Sequence, residues 1–164
     1  MQQLLEQTAR IVLIGAGATA VMDAWLWLLK RLKVPMLNFA YMGRWVSHWR
    51  HGRWAHDAIA KAAPVRGELA LGWLLHYLTG IAFAGLLVGV FGEAWTRNPS
   101  LLPALLVGIA TVVAPLFIVQ PAMGAGIASS RTPTPARNIL RSLANHTIFG
   151  CGLYLAALFI NWNA

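Results

Sequence analysis

Charge is scarce in this sequence, and charge of one sign scarcest of all. Charged side chains make up 11% of 164 residues and only five are acidic, against about 25% charged residues in an ordinary soluble domain. A soluble domain must clothe its outside in polar groups, and this chain has too few to do so. A single cysteine, Cys151, excludes an intramolecular disulfide. No nucleophile elbow, zinc-protease helix, phosphate loop or cysteine pair is present, so nothing in the sequence points to an enzyme. What remains is apolar: 58% of the residues, which excludes a disordered chain, a collagen-like rod and a small disulfide-stapled module.

The apolar residues are gathered into four runs: Ile11–Leu29, Leu69–Phe91, Leu101–Ala122 and Ile139–Ile160. Each reaches the roughly 20 residues that a helix needs to cross about 30 Å of hydrocarbon. The first run has no strongly basic start and carries Asp23 inside it, so it is expected to remain as a span and not to be removed as a signal peptide. Lys30, Arg31, Lys33, Arg44, Arg50, Arg53, Lys61 and Arg66 fall between the first two spans, and Arg131, Arg137 and Arg141 between the last two or at the start of the fourth. Only Arg10 and Arg97 fall on the other side. Because short loops rich in Lys and Arg stay in the cytoplasm, both termini are expected outside and the long first loop inside. None of the eight tryptophans sits at mid-span, as expected for residues that favour the membrane interface. The sequence therefore predicts an all-α fold: a four-helix transmembrane bundle forming one integral membrane domain over residues 1–164.

A net charge of +8 suggests nucleic acid in a soluble chain. Here loops facing anionic lipid account for it, and no nucleic-acid partner is expected. Gly15, Gly17 and Ala20 after Ile11-Val12-Leu13-Ile14 imitate a dinucleotide loop. That motif needs a following strand and an acidic residue about 20 positions on. The apolar run continues instead, and no acidic residue occurs between Asp23 and Asp57.

The informative residues are the polar ones inside the spans. Asp23 lies about seven residues from the inner end of the first span, about 10 Å deep. His76 and His146 lie at similar depth in the second and fourth spans, and Gln120 beside Pro121 in the third. Gly15, Thr19 and Asp23 fall on one i, i+4, i+8 stripe; Gly72, His76 and Gly80 form a second, and Ser142, His146 and Gly150 a third. Residues four apart share a helix face, and small-residue rows are where membrane helices pack closely. Asp23, His76, His146, Gln120 and Thr19 are therefore expected to form an interior polar centre. An Asp at mid-span costs roughly 2.5–3.5 kcal/mol on insertion scales, so it must be paired, protonated or wet. The centre then serves passage of protons, ions or small solutes, or it fixes helix register. Two imidazoles and a carboxylate are also suitable metal ligands, but no local spacing supports a metal site and none is expected. The two histidines, each one turn from a glycine, could ligate a b-type haem with Arg66 and Arg141 at its propionates; no cofactor is the leading expectation.

In the third span, Pro115 and Pro121 each forfeit a backbone hydrogen bond and predict a kink. In the first loop, Leu37, Tyr41, Trp45 and Trp49 recur every four residues, which predicts an interfacial amphipathic helix along the membrane surface. Arg44, His48, Arg50, Arg53 and Arg66 are the candidate contacts to anionic lipid headgroups or another anion. Partners are then the bilayer itself, a second copy of the chain, or a partner membrane protein. Thr134 followed by Pro135 looks like a cap and first turn opening the fourth span. Cys151, among small residues, reads as packing.

Four stretches together carry a resemblance: Ala18-Thr19-Ala20-Val21-Met22-Asp23, then Gly67-Glu68 through Gly72-Trp73 to His76-Tyr77, then Gln120-Pro121-Ala122-Met123-Gly124-Ala125-Gly126, and Arg131-Thr132-Pro133 with His146 after it. Over roughly residues 10–160 the chain resembles a family of small bacterial multi-span membrane proteins catalogued only as a domain of unknown function. The resemblance implies a bacterial inner-membrane location and supplies no activity, ligand or site.

Overall fold

The computed structural model describes residues 1–36 and 38–162; Leu37, expected at the start of the loop helix, lies outside the described residues. Among the described residues seven α-helices follow in order: α1 (Gln2–Arg31), α2 (Phe39–His48), α3 (Glu68–Phe91), α4 (Ala94–Arg97), α5 (Leu101–Ala110), α6 (Gln120–Ala122) and α7 (Pro135–Trp162). No strand occurs among the described residues. Four stretches of the described residues are long and apolar enough to cross a membrane: Gln2–Arg31, Glu68–Phe91, Leu101–Ala122 and Pro135–Trp162.

The helix ends have local causes. α1 extends N-terminally past its apolar run because Gln2–Arg10 is built of good helix formers, with Glu6 and Arg10 paired one turn apart at 3.2 Å. Lys30 and Arg31 occupy its last turn, where cations suit the negative end of the helix dipole. Pro135 opens α7, at a position where a missing N–H leaves no bond unmade. The third stretch is broken, as its prolines predict. α5 ends at Ala110, and Pro115–Val119 widen into a π-helical turn before α6.

The chain divides into two compact units. The first contains Met1–Val34, Tyr77–Thr111 and the chain from Asn145 onward. It is a four-helix bundle of α1, the later part of α3, α5 and the later part of α7. Ile14, Ala18, Ala84, Leu87, Ala104, Val107, Phe149, Leu153 and Ala157 form its core, with Trp95 of α4. Glycines let the helices touch. A methyl group added to Gly108 of α5 would lie 2.8 Å from both Gly150 N and His146 O, and one added to Gly150 would lie 2.8 Å from Ala104 O. One added to Gly80 of α3 would strike Thr19 Oγ1 of α1.

The second unit contains Pro35–His76 and Val112–Ala144, in which short or partial α-helices alternate with 3-10, π and irregular segments. α2 starts where the Asn38 side chain accepts a hydrogen bond from Ala40 N at 3.0 Å, then passes into a 3-10 turn at Trp49–His51. Its small core is Trp45, Ile59 and Met123, edged by Tyr41, Met42, Val46 and Trp49. α2 and the start of α3 meet backbone to backbone: a methyl on Gly43 would strike Glu68 O, and one on Gly72 would strike Phe39 O.

Candidate functional site

The embedded polar residues each have partners on another helix or turn of their own unit. In the four-helix bundle, the Tyr77 hydroxyl donates to Asp23 Oδ2 at 2.9 Å. Thr19, fully buried, donates to Gly15 O at 2.8 Å and packs on Gly80. His146 Nδ1 is 2.9 Å from Thr111 Oγ1 and 3.2 Å from Gly108 O, and Phe83 lies beside its ring at 6.4 Å between centroids. Thr111 in turn donates to Gly108 O at 2.6 Å. Trp25 Nε1 donates to Asn145 Oδ1 at 2.9 Å, joining α1 to α7. Near the other end, Asn161 accepts from Arg10 at 2.8 Å and donates to Thr96 O at 2.9 Å.

The other two members of the expected centre belong to the second unit. The His76 ring lies 4.5 Å from Phe39 and 5.8 Å from Trp73, centroid to centroid. Gln120 Oε1 accepts from the buried Ser129 hydroxyl at 2.8 Å. Of the three small-residue stripes, those of α1 and α3 meet at Thr19 and Gly80, whereas the Gly150 end of the α7 stripe packs on Gly108 of α5. Among the described residues no three His, Cys, Asp or Glu side chains are grouped to hold a metal ion.

The candidate anion contacts divide by exposure. Arg50, Arg53 and Arg66 are exposed. Arg44 and His48 are buried and are used inside the chain. Arg44 makes a two-bond fork to Glu68, Nη2 to Oε1 at 2.7 Å and Nε to Oε2 at 2.8 Å. Its Nη1 donates to Ile59 O at 3.1 Å and Ala62 O at 3.0 Å. The Glu68 hydrogen bond holds the guanidinium proton more firmly than usual against the opposing effect of burial. Arg44 is thus the hub of the long connection and not one of its outward cations. His48 Nδ1 lies 2.8 Å from His56 Nε2, one ring donating and the other accepting. Burial, and then the charges of His48 and Arg53, push the His56 pKa below the ordinary histidine value.

The connection is fastened at backbone level too. His56 N donates to Ala122 O at 2.8 Å and Ile59 N to Met123 O at 3.1 Å. Trp45 Nε1 donates to Trp54 O at 2.7 Å, while Trp49 stacks on Trp54 with centroids 5.1 Å apart. Charge counting missed the Arg44–Glu68 pair, and hydropathy missed Tyr77, Trp25 and Asn145 as helix-joining partners. The signal available for the first was Glu68 itself, one of only two acids in that unit beside many cations.

Four long apolar helical stretches among the described residues, with polar side chains tying helices together, define a helical membrane protein. Residues 12–160 match the family described as Protein of unknown function (DUF2938), and the chain belongs to that family. No curated protein and no solved structure is detectably similar to it.

Proposed function

We propose that the protein is a non-enzymatic scaffold of the bacterial inner membrane. In this reading both termini lie outside, and the long first connection faces the cytoplasm and anionic lipid. The carrying observation is that this connection is a folded piece built on Arg44, with Arg50, Arg53 and Arg66 exposed around it. Each exposed cation near an anionic surface contributes about 1 kcal/mol, and a fixed backbone spares the entropy of ordering a loose loop. The embedded polar contacts then serve assembly, since membrane helices lack a hydrophobic drive toward one another and rely on close packing and interhelical hydrogen bonds.

The test is thermal unfolding in nanodiscs of zwitterionic lipid with and without phosphatidylglycerol. The wild type is expected to unfold at a higher temperature with the anionic lipid, and Arg50→Gln/Arg53→Gln/Arg66→Gln to lose that gain. A wild type indifferent to lipid charge overturns the reading. A C-terminal reporter active in the cytoplasm overturns the orientation, and a Soret band in the purified protein overturns the absence of a haem cofactor.

The Tyr77–Asp23 hydrogen bond favours a second reading, passage of protons through the bundle. A carboxylate and a phenol in contact can hold or exchange a proton. Proton flux into vesicles that falls in Asp23→Asn supports it; unchanged flux with a lowered unfolding temperature leaves assembly as the role.

A further inference from the structure

The connection from α6 to α7 holds a cavity of about 260 Å³ bounded by Pro121, Gly126, Ile127, Ser130 and Arg131. The backbone of this connection is tightly wound. Gly124 and Gly126 have φ of 93° and 77°, and Ala128 and Ser129 follow in the left-handed region at 49° and 62°. For residues with a Cβ that region costs roughly 1–2 kcal/mol each. The conformation persists because Ser129 is clamped, its hydroxyl on Gln120 Oε1 and its amide on Gly126 O.

Gly126 keeps the cavity open. A methyl group there would strike Ser130 Oγ and lie 2.9 Å from Arg131 Cγ, crowding the two polar residues that line the cavity. Arg131 is exposed, and among the described residues its guanidinium makes no ion pair or side-chain hydrogen bond, in contrast to Arg44. The Ser130 hydroxyl is likewise unused. This unit has two carboxylates. Glu68 is committed to Arg44. Asp57 is exposed and meets the connection through its backbone carbonyl at Gly124.

An uncompensated guanidinium fork and a hydroxyl donor, against an apolar wall of Pro121 and Ile127, match the chemistry of a phosphate oxyanion. Arginine binds such groups through two parallel N–H bonds. The volume lies below the roughly 300–1,000 Å³ of pockets for drug-sized ligands, which suits a headgroup and not a large cofactor.

We infer that this cavity binds a phosphate group, with the Arg131 guanidinium and the Ser130 hydroxyl as its donors. The same oxyanion is offered by an anionic lipid headgroup and by inorganic phosphate. The site does not depend on Arg50, Arg53 or Arg66, so the inference survives or falls separately from the lipid-surface reading.

The experiment uses the full chain in uncharged detergent. Inorganic phosphate is titrated calorimetrically, and retained phosphatidylglycerol is counted by native mass spectrometry. Saturable one-site binding is expected, weakened tenfold or more by Arg131→Gln, severalfold by Ser130→Ala and to an intermediate degree by Arg131→Lys, which keeps charge but loses the fork. Arg50→Gln/Arg53→Gln/Arg66→Gln is expected to bind like wild type. Binding of inorganic phosphate that displaces the lipid identifies a soluble source. One retained lipid, lost in Arg131→Gln without any uptake of inorganic phosphate, identifies the headgroup. A wild type that takes up neither, or binding unaltered in both Arg131→Gln and Ser130→Ala, overturns the inference.

Discussion

The two units of this molecule are held together by different physics. In the bundle, helices touch through Gly108 and Gly150 or Thr19 and Gly80, and the polar side chains add single hydrogen bonds such as Tyr77–Asp23 and Trp25–Asn145. In the other unit, only short or partial helices contribute, and irregular backbone has to find a partner for each buried N–H and C=O. Arg44 meets two carbonyls, Trp45 meets a third, and the amides of His56 and Ile59 meet two more. A helix satisfies its own backbone, so its packing is decided by shape. A folded loop does not, so its packing is decided by donors and acceptors. The bundle should therefore be most sensitive to added volume and the loop unit to a removed charge.

The largest effect is expected from volume. Gly108→Leu would drive a side chain into the backbone of Gly150 and His146, and overpacking of this kind costs about 3 kcal/mol or the upper end of the usual range. Gly89→Leu on α3 supplies the contrast, because a Cβ there meets nothing within 4 Å. Thermal unfolding in mild detergent should separate the two clearly. Equal tolerance of both would mean that the bundle does not rely on close backbone approach. Next comes charge: Glu68→Ala strands the buried Arg44, and losing one partner of a buried pair costs about 3 kcal/mol at the lower end of the observed range. Arg44→Met/Glu68→Leu should recover much of that loss, since it leaves no unpaired charge behind. A double variant no better than Glu68→Ala would show that the Ile59 and Ala62 carbonyls, not the carboxylate, are what Arg44 is for.

Legibility in the sequence follows the same division. The four spanning stretches could be read from apolar run length, because a bilayer imposes one dimension on every helix. The interruption near Pro115 could be read because proline removes a known hydrogen bond. The start of α1 could not: Gln2–Arg10 is helical by propensity and pairing, to which hydropathy is blind. Asp23 and His146 were recognisable as residues that need partners, but their partners Tyr77 and Thr111 come from other helices, and helix rotation is not written in local spacing. In the loop, the four-residue aromatic recurrence marked α2 correctly. Counting cations, however, cannot tell Arg44, turned inward onto Glu68, from Arg50 and Arg53, which are exposed. The αL residues Ala128 and Ser129 gave no signal, since neither is a residue type that favours that conformation.

Acid should weaken the loop unit by a smaller amount. His56 has its pKa lowered by burial and by His48 and Arg53, and its Nδ1 is buried with no hydrogen-bond partner among the described residues. A lowered histidine pKa means that the unfolded chain takes up the proton first. Stability is therefore full above the unfolded value of about 6.5 and falls as pH drops from there toward the lower folded value. Amide protection factors over residues 41–59, which are exchange rates referred to the intrinsic rate at each pH, should fall between pH 7.5 and pH 5.5, and His56→Gln should flatten that dependence. Protection factors that rise in acid would reverse the sign and overturn the assignment to His56.

The smallest effect tests whether embedded polarity in the bundle serves register or chemistry. Hydrogen bonds between membrane helices average about 0.6 kcal/mol and reach about 1.7 kcal/mol, because the competing unfolded state in lipid also finds partners. Tyr77→Phe removes the hydroxyl that meets Asp23 and leaves the ring, so about 0.6 kcal/mol is expected from steric-trapping or unfolding measurements. A double-variant cycle with Asp23→Asn isolates the pair from whatever else each group does. A coupling near the average makes the pair one fastening among several, equal in kind to Trp25–Asn145. A coupling well beyond 1.7 kcal/mol would mark a charge-assisted bond in a dry setting. The bundle would then break the comparison, holding at Asp23 the sort of committed charge that otherwise characterises Arg44 in the loop unit.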